Sequence, residues 1–435
     1  MLSKKYHQLK KIYEEYPGQF WVIVGSSFID HLGGALLLPF FSLYITRKFD
    51  VGLTQVGILF MIFSVTGMLG TTIGGALTDY LGRKRMIIMG LVVSGVTSLC
   101  MGLVNSLPLF YVMGGVVGLF ADAAGPARRA MMADILPESQ RADGFGIMRV
   151  MMNLAVTIGP AVGGLLASVS YLLLFTIDTA TSLITAVIVA RTIRETHPSS
   201  SEQEAGGSLK TSLQGYKGVL HNRPFMLFLL FSLISTLVYT QMYSSLSVFL
   251  RDIHMVPEQG FGMIMSINAG LVVLFQFPVT RRIKRIPPLL VMAAGAILYA
   301  VGFGMYGFVG SYGLFVLAMV VITVGEMLVA PTGEALAASF APEDMRGRYM
   351  AVMGFSWMIP SAVGPLGAGL IMDNLGPNLI WYLGAVLGCT AAGGFVWLGK
   401  QLPDRGSRKE DVMNVQSRTG KPELHTISLE QDVVI

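Results

Sequence analysis

Charge is scarce in this chain: Lys, Arg, Asp and Glu make up 13% of its 435 residues, while 53% are hydrophobic. An ordinary water-soluble domain carries roughly a quarter of its residues as charges, so this composition excludes one. Cysteine is nearly absent. The two present, Cys100 and Cys389, fall inside apolar runs, which argues against a disulfide framework and leaves small buried residues as their reading. The six histidines stand apart at positions 7, 31, 197, 221, 254 and 425, without metal-ligand spacing. No GxxxxGKS/T run occurs, so a built-in ATPase has no phosphate-binding loop. No metal or other cofactor is expected. A membrane-embedded enzyme would need a nucleophile or paired catalytic groups near an interface, and none stands out.

What fills the chain instead is long apolar runs, with a mean hydropathy of +0.62. A helix crossing a bilayer needs about 20 mainly apolar residues, because lipid offers no partner to a bare backbone amide. Polar breaks separate candidate spans at 19–46, 52–78, 86–105, 108–131, 144–168, 171–192, 224–250, 258–280, 288–310, 312–336, 347–372 and 377–399. The expected fold class is therefore an all-α membrane protein with 12 transmembrane helices. Residues 1–18 read as a basic amphipathic lead lying on the membrane surface, 19–192 and 224–399 as two six-helix bundles, 193–223 as a linker and 400–435 as a polar tail.

With the amino terminus in the cytoplasm, only Arg47, Lys48 and Arg251 of the 31 Lys and Arg residues fall on the outer side. This asymmetry places both termini, the linker and the tail in the cytoplasm of a cell membrane (plasma or inner). The pI of about 9.1 thus reflects topology. Nucleic acid is not an expected partner, since no soluble basic module exists to bind it.

A shift of 205 residues superposes Gly57 on Gly262, Gly90 on Gly295, Pro126 on Pro331 and Gly164 on Gly369. It also aligns Pro137-Glu138 with Pro342-Glu343, Arg141 with Arg346, and Gly159-Pro160 with Gly364-Pro365. A gap-free offset over most of both halves implies duplication. Two six-helix halves about an axis along the membrane normal are an architecture of secondary transporters.

The run GALTDYLGRKR at 75–85 resembles the signature loop between the second and third helices of the major facilitator superfamily, Tyr80 standing where that family usually has a base. ADILPESQR at 133–141 is similar to the family's segment after the fourth helix, and the resemblance spans nearly the whole chain. IGPAVGG at 158–164, with Gly159, Pro160, Gly163 and Gly164, resembles the motif of its proton-coupled antiporters, drug exporters above all. AVGPLGAG at 362–369 repeats it. The resemblance implies a conformational latch of Gly75, Asp79, Gly82, Arg83 and Asp134, closing the cytoplasmic face when the cavity opens outward.

Elementary physics supports such a latch. Asp79 sits at the carboxyl end of the second helix, where the helix dipole is already negative, so it needs a positive partner. Arg83 is near in sequence, and the eleventh helix presents its positive amino terminus from the other half. Gly74 and Gly75 are expected to let that helix approach, and Gly82 to take a left-handed conformation. The plainer reading, that RKR at 83–85 only enforces topology, explains neither the acid nor the glycines. At the corresponding place the second half has TRRIKRIPP, with bases but no acid, so the latch is expected on the first half alone.

Four acids lie deep in spans: Asp30, Asp122, Asp178 and Glu326. Each costs about 2.5–3.5 kcal/mol to insert and so wants a reason. In the resembled fold helices 1, 4, 7 and 10 line the cavity, which makes Asp30, Asp122 and Glu326 candidates for proton coupling and substrate binding; the alternative is buried acids bonded to hydroxyls or backbone. Asp122 and Glu326, one residue from equivalence under the repeat, are expected at similar depth on opposite walls. Asp178 reads as structural and His31 as a packed histidine. Arg128, Arg129 and Arg149 either snorkel or pair with Asp134, Glu334 or an anionic ligand. Tyr239, Gln241 and Tyr243 are possible cavity lining, or packing.

The expected function is proton-coupled export of lipophilic or cationic small molecules by alternating access, as a monomer whose partners are substrate, protons and the lipid bilayer. A lipid or glycolipid flippase, or a sugar or metabolite transporter of the same fold, is the close alternative. A transporter-like receptor that moves nothing is a third class.

Overall fold

The computed structural model describes residues 13–196, 218–342 and 345–402; within these, the side chains at positions 75, 76, 79, 142, 346 and 347 lie outside the description. Residues 1–12, most of the expected linker and nearly all of the expected tail therefore lie outside it. The described residues form helices throughout, and 12 of them are long and apolar enough to cross a membrane. In chain order they are α1 (Gly18–Phe49), α2 (Leu53–Leu81), α3 (Arg83–Leu103), α4 (Leu107–Ile135), α5 (Glu138–Val169) and α6 (Tyr171–Thr192). The second set is α7 (Arg223–Ser244), α8 (Glu258–Ile283), α9 (Pro288–Tyr306), α10 (Tyr312–Phe340), α11 (Arg348–Asn374) and α12 (Leu379–Gln401).

The repeat extends to atomic contacts. At Gly90 an added Cβ would meet Ala124 and the Phe120 carbonyl; at Gly295 it would meet Val329 and the Gly325 carbonyl, each partner displaced by the same 205 residues. Helix α1 is interrupted by a tight turn at Leu38–Phe40, where Pro39 withholds an amide, and resumes as Phe41–Phe49. Helix α7 breaks at the matching place without a proline, between Thr240 and Ser245, and continues as Leu246–His254. Both continuations end on a residue in the left-handed region, Asp50 (φ 51°) and Met255 (φ 54°). The expected single span at 224–250 is thus two pieces.

The halves meet closely at one end, the end that carries Arg47, Lys48 and Arg251. Gly57 of α2 lies against the backbone of Pro365 and Leu366 in α11, and Gly369 of α11 against that of Leu53 and Thr54. The companion seam repeats this: Gly262 of α8 lies against the Pro160 carbonyl and Gly164, and Gly164 against Glu258 and Gln259. Only residues without a Cβ permit such approach. Around the seams the three bases form specific bonds. Arg251 donates to the Leu43 carbonyl (3.1 Å) and to Thr46 Oγ1 (3.0 Å), Lys48 to the Gly102 carbonyl (2.9 Å), and Arg47 pairs with Glu258 (3.3 Å). Tyr171 donates to the same Glu258 oxygen at 2.8 Å. At the opposite end the halves are bridged by Arg149 and Glu334 at 3.4 Å, both more than half exposed. Such a pair contributes about 0–1 kcal/mol.

Because Gly90 and Gly295 occupy equivalent contacts inside their own halves, Gly90→Val and Gly295→Val should destabilise alike, each by roughly 1–3 kcal/mol of overpacking. Thermal unfolding in detergent measures this; a drop in only one variant contradicts the equivalence.

Candidate functional site

Each half encloses a cavity. In the first half a cavity of about 410 Å³ lies among α1, α3, α4 and α6, with single contributions from Phe63 of α2 and Val156 of α5, and carries Asp30, His31, Ser94, Ser98, Arg128, Asp178 and Ser182 on its otherwise apolar wall. Asp30 pairs with Arg128 Nη2 at 3.2 Å and accepts from Ser182 Oγ at 2.9 Å. Arg128 is thus an internal counter-ion and does not snorkel. Asp178, read from sequence as structural, shares this cavity and accepts from Ser98 Oγ at 2.7 Å. Gly33 lets α6 approach α1 at Asp178 and Thr181. His31 also lines the cavity, its Nδ1 held 2.8 Å from the Ser27 carbonyl.

The second half holds a smaller cavity of about 100 Å³, where Glu326 faces Tyr239, Tyr299, Trp357 and Ser232. Asn268 on α8 fixes the carboxylate, donating to Glu326 Oε2 at 2.9 Å and approaching Thr323 Oγ1 at 3.0 Å. Tyr239 stands 5.4 Å from Tyr299 and edge-on to Trp357 at 5.7 Å, ring centre to ring centre. Ser232 Oγ is buried there without a hydrogen-bond partner among the described residues. A carboxylate held by a neutral amide and walled by aromatic faces suits a cation.

Other expected residues stand elsewhere. Asp122 turns toward Gly67 of α2, with Arg129 as its charged neighbour, while Ala121, the repeat counterpart of Glu326, lines the first cavity. One residue is 100° of helix, enough to separate the two walls that the sequence reading paired. Gln241 braces the break in α7: its amide donates to the Leu237 carbonyl at 3.1 Å and its oxygen accepts from Ser245 at 2.8 Å. Tyr243 lies 3.4 Å from Tyr239, hydroxyl to hydroxyl, one turn beyond the cavity. Of the glycine motif, Gly159 and Gly163 seat α5 against Ala35, Leu36 and Phe40 of α1, while Pro160 and Gly164 form the seam with α8.

At the opposite end, Arg83 Nε lies 2.7 Å from Asp134 Oδ2, which also accepts from Thr196 at 2.9 Å. Asp79 and Gly75 belong to the described helix α2, but their side-chain surroundings lie outside the description. Gly82 has φ +91° and ψ 156°, extended on the positive side of φ and open in practice only to glycine. Gly74, expected to admit the eleventh helix, instead seats the backbone of Ala123 in α4 of its own half. The sequence reading also missed Glu195, which accepts from the Arg83 amide (2.9 Å) and the Lys84 amide (3.1 Å) and so caps α3. Its only signal was an acid in RETH, just after a span.

The Major Facilitator Superfamily model matches residues 23–365 and 235–424. A Na⁺, Li⁺, K⁺/H⁺ antiporter of Planococcus maritimus is 26% identical over 358 residues, covering 76% of this chain and 84% of its own. The quinolone resistance protein NorA of Staphylococcus aureus is 30% identical over 155 residues, 35% of this chain and 39% of its own. Among solved structures, the nucleoside transporter NupG superposes with a TM-score of 0.73 at 14% identity, covering 88% of this chain and 99% of that one.

Glu195→Ala should remove a helix cap worth about 1 kcal/mol. Gly82→Ala should cost at least as much, since a Cβ there meets both an unfavourable φ and the Glu195 carboxylate. Denaturant unfolding in detergent reads both; a neutral Gly82→Ala contradicts the account of this turn.

Proposed function

Because the chain belongs to the Major Facilitator Superfamily, whose model spans both halves, we propose that it is a proton-coupled antiporter that exports lipophilic cations by alternating access. The observation that carries this reading is the second cavity, where the Glu326 carboxylate is held by Asn268 and faces Tyr239, Tyr299 and Trp357. Ionised, Glu326 attracts a cation whose charge also gains about 0.5–2 kcal/mol from each well-placed aromatic face. Protonated, it is neutral and the cation leaves. Cation and proton thus compete for one carboxylate, and competition is what exchange requires.

The first cavity supplies the apolar counterpart. Its volume of about 410 Å³ falls within the roughly 300–1,000 Å³ of small-molecule sites, and its walls are mainly apolar. Asp30 there is balanced by Arg128, which leaves Asp178, bonded to a neutral hydroxyl, as the acid on that wall paired with no base among the described residues. The relatives are consistent with ion exchange and drug export: one carries the name of a monovalent cation/proton antiporter, another that of a quinolone resistance protein. With the basic residues inside and both termini in the cytoplasm, the tightly closed end faces outward.

The test is transport in proteoliposomes under an imposed pH gradient, with a cationic dye and a neutral dye of similar size. The wild type should move the cation only. Glu326→Gln should weaken it by about tenfold or more, matching loss of at least about 1.4 kcal/mol of cation binding, and remove its dependence on the pH gradient, while Asp30→Asn, which leaves Arg128 without its partner carboxylate, should weaken transport and keep that dependence. Movement of the neutral dye with the cation excluded, or unchanged coupled transport in both variants, overturns this reading.

A further inference from the structure

We infer that Asp373, at the carboxyl end of α11, is the residue that holds the outer gate shut, by capping a helix of the other half. Its Oδ1 accepts from the Leu53 amide at 3.1 Å, and its Oδ2 from the Thr54 amide at 2.8 Å and from Thr54 Oγ1 at 2.7 Å. Leu53 and Thr54 are the first two residues of α2, whose amides have no partner within the helix. The residue that would ordinarily satisfy them is the one before, and here it is Gly52, which has no side chain. The cap comes instead from α11, across the seam between the halves.

Three features make this a device of the closed state. An anion at the positive end of a helix gains from the dipole, while an acid at the carboxyl end of its own helix is opposed by it, so Asp373 gains by leaning on α2. Gly52 is required as well, because a Cβ there would collide with the Asp373 carboxyl group. The same hydrogen bonds cannot survive separation of α2 from α11, so their free energy belongs to the closed end only.

The lock has no twin. The repeat places Ser168 where Asp373 stands, and Ser168 Oγ donates to the Leu165 carbonyl of its own helix. On that seam the acid is Glu258, at the start of α8, held by Arg47 and Tyr171. Asp373 is a positioning residue: it lines neither of the two cavities and acts by setting how much of the protein has its outer end closed. The inference rests on the alternating-access reading but is tested apart from transport.

Spin labels on cysteines at Asn105 and Ser311, in loops of opposite halves at the closed end, report its opening in a background with Cys100→Ser and Cys389→Ser. Asp373→Asn, which keeps one acceptor oxygen and loses the other and the charge, should raise the ratio of open to closed populations by about 5-fold, the lower end of the 5- to 30-fold span expected for losing a helix cap outright. Asp373→Glu should recover part of the closed population, and melting temperature should barely move. Gly52→Ala, which alters the other half and leaves the acid in place, should open the same end, as should Thr54→Val to a smaller degree. If Asp373→Asn does not fold, Gly52→Ala and Thr54→Val decide. Unchanged distances in these variants overturn the lock, whether or not the protein transports; altered distances without cation transport uphold it and count against the proposed cargo alone.

Discussion

Lipid gives backbone amides nothing to bond to, and every other feature of this chain is an accommodation to that fact. A spanning backbone must close its own bonds, and this chain does so in helices, so its architecture varies only in where a helix breaks and where two helices touch. The breaks in α1 and α7 fall at equivalent positions, and each continuation ends on a left-handed residue. Gln241 satisfies groups that the break in α7 exposes, which is why a polar residue occupies a buried place there.

The touching points are equally paired. Gly57 and Gly369 on one seam correspond to Gly262 and Gly164 on the other, so both seams are built from backbone lying on backbone. Chemistry departs from this symmetry where function is read. One half holds two acids, an arginine and a roomy apolar wall; the other holds Glu326 in a tight aromatic recess, with the more exposed Glu334 also on its lining. Duplication supplied the frame, and the polar residues differ between its copies.

Much of the frame was legible beforehand, because a membrane imposes composition on each span and a duplication imposes a fixed offset. Pro39 marks the turn in α1, yet 19–46 reads as one span; the break in α7 has no such marker, and 224–250 likewise reads as one. Asp122 was placed by depth alone, and depth does not specify rotation about the helix axis. The pairing of Arg128 with Asp30 joins residues 98 apart, which no local pattern encodes. Asp373 was open to the reasoning applied to Asp79, an acid at the negative end of a helix; it lacked only a surrounding signature to draw attention.

The glycine seams have a consequence for how readily the closed end parts. Glycine has no side-chain rotamers, so bringing these surfaces together freezes none at the points of contact, and separating them releases none. Closure at the glycine contacts themselves is nearly free of side-chain ordering entropy. In the proposed alternating access, the balance between closed and open is left to the few polar groups at the rim, where a single carboxylate carries weight that it would lose in an interlocked, side-chain-rich interface.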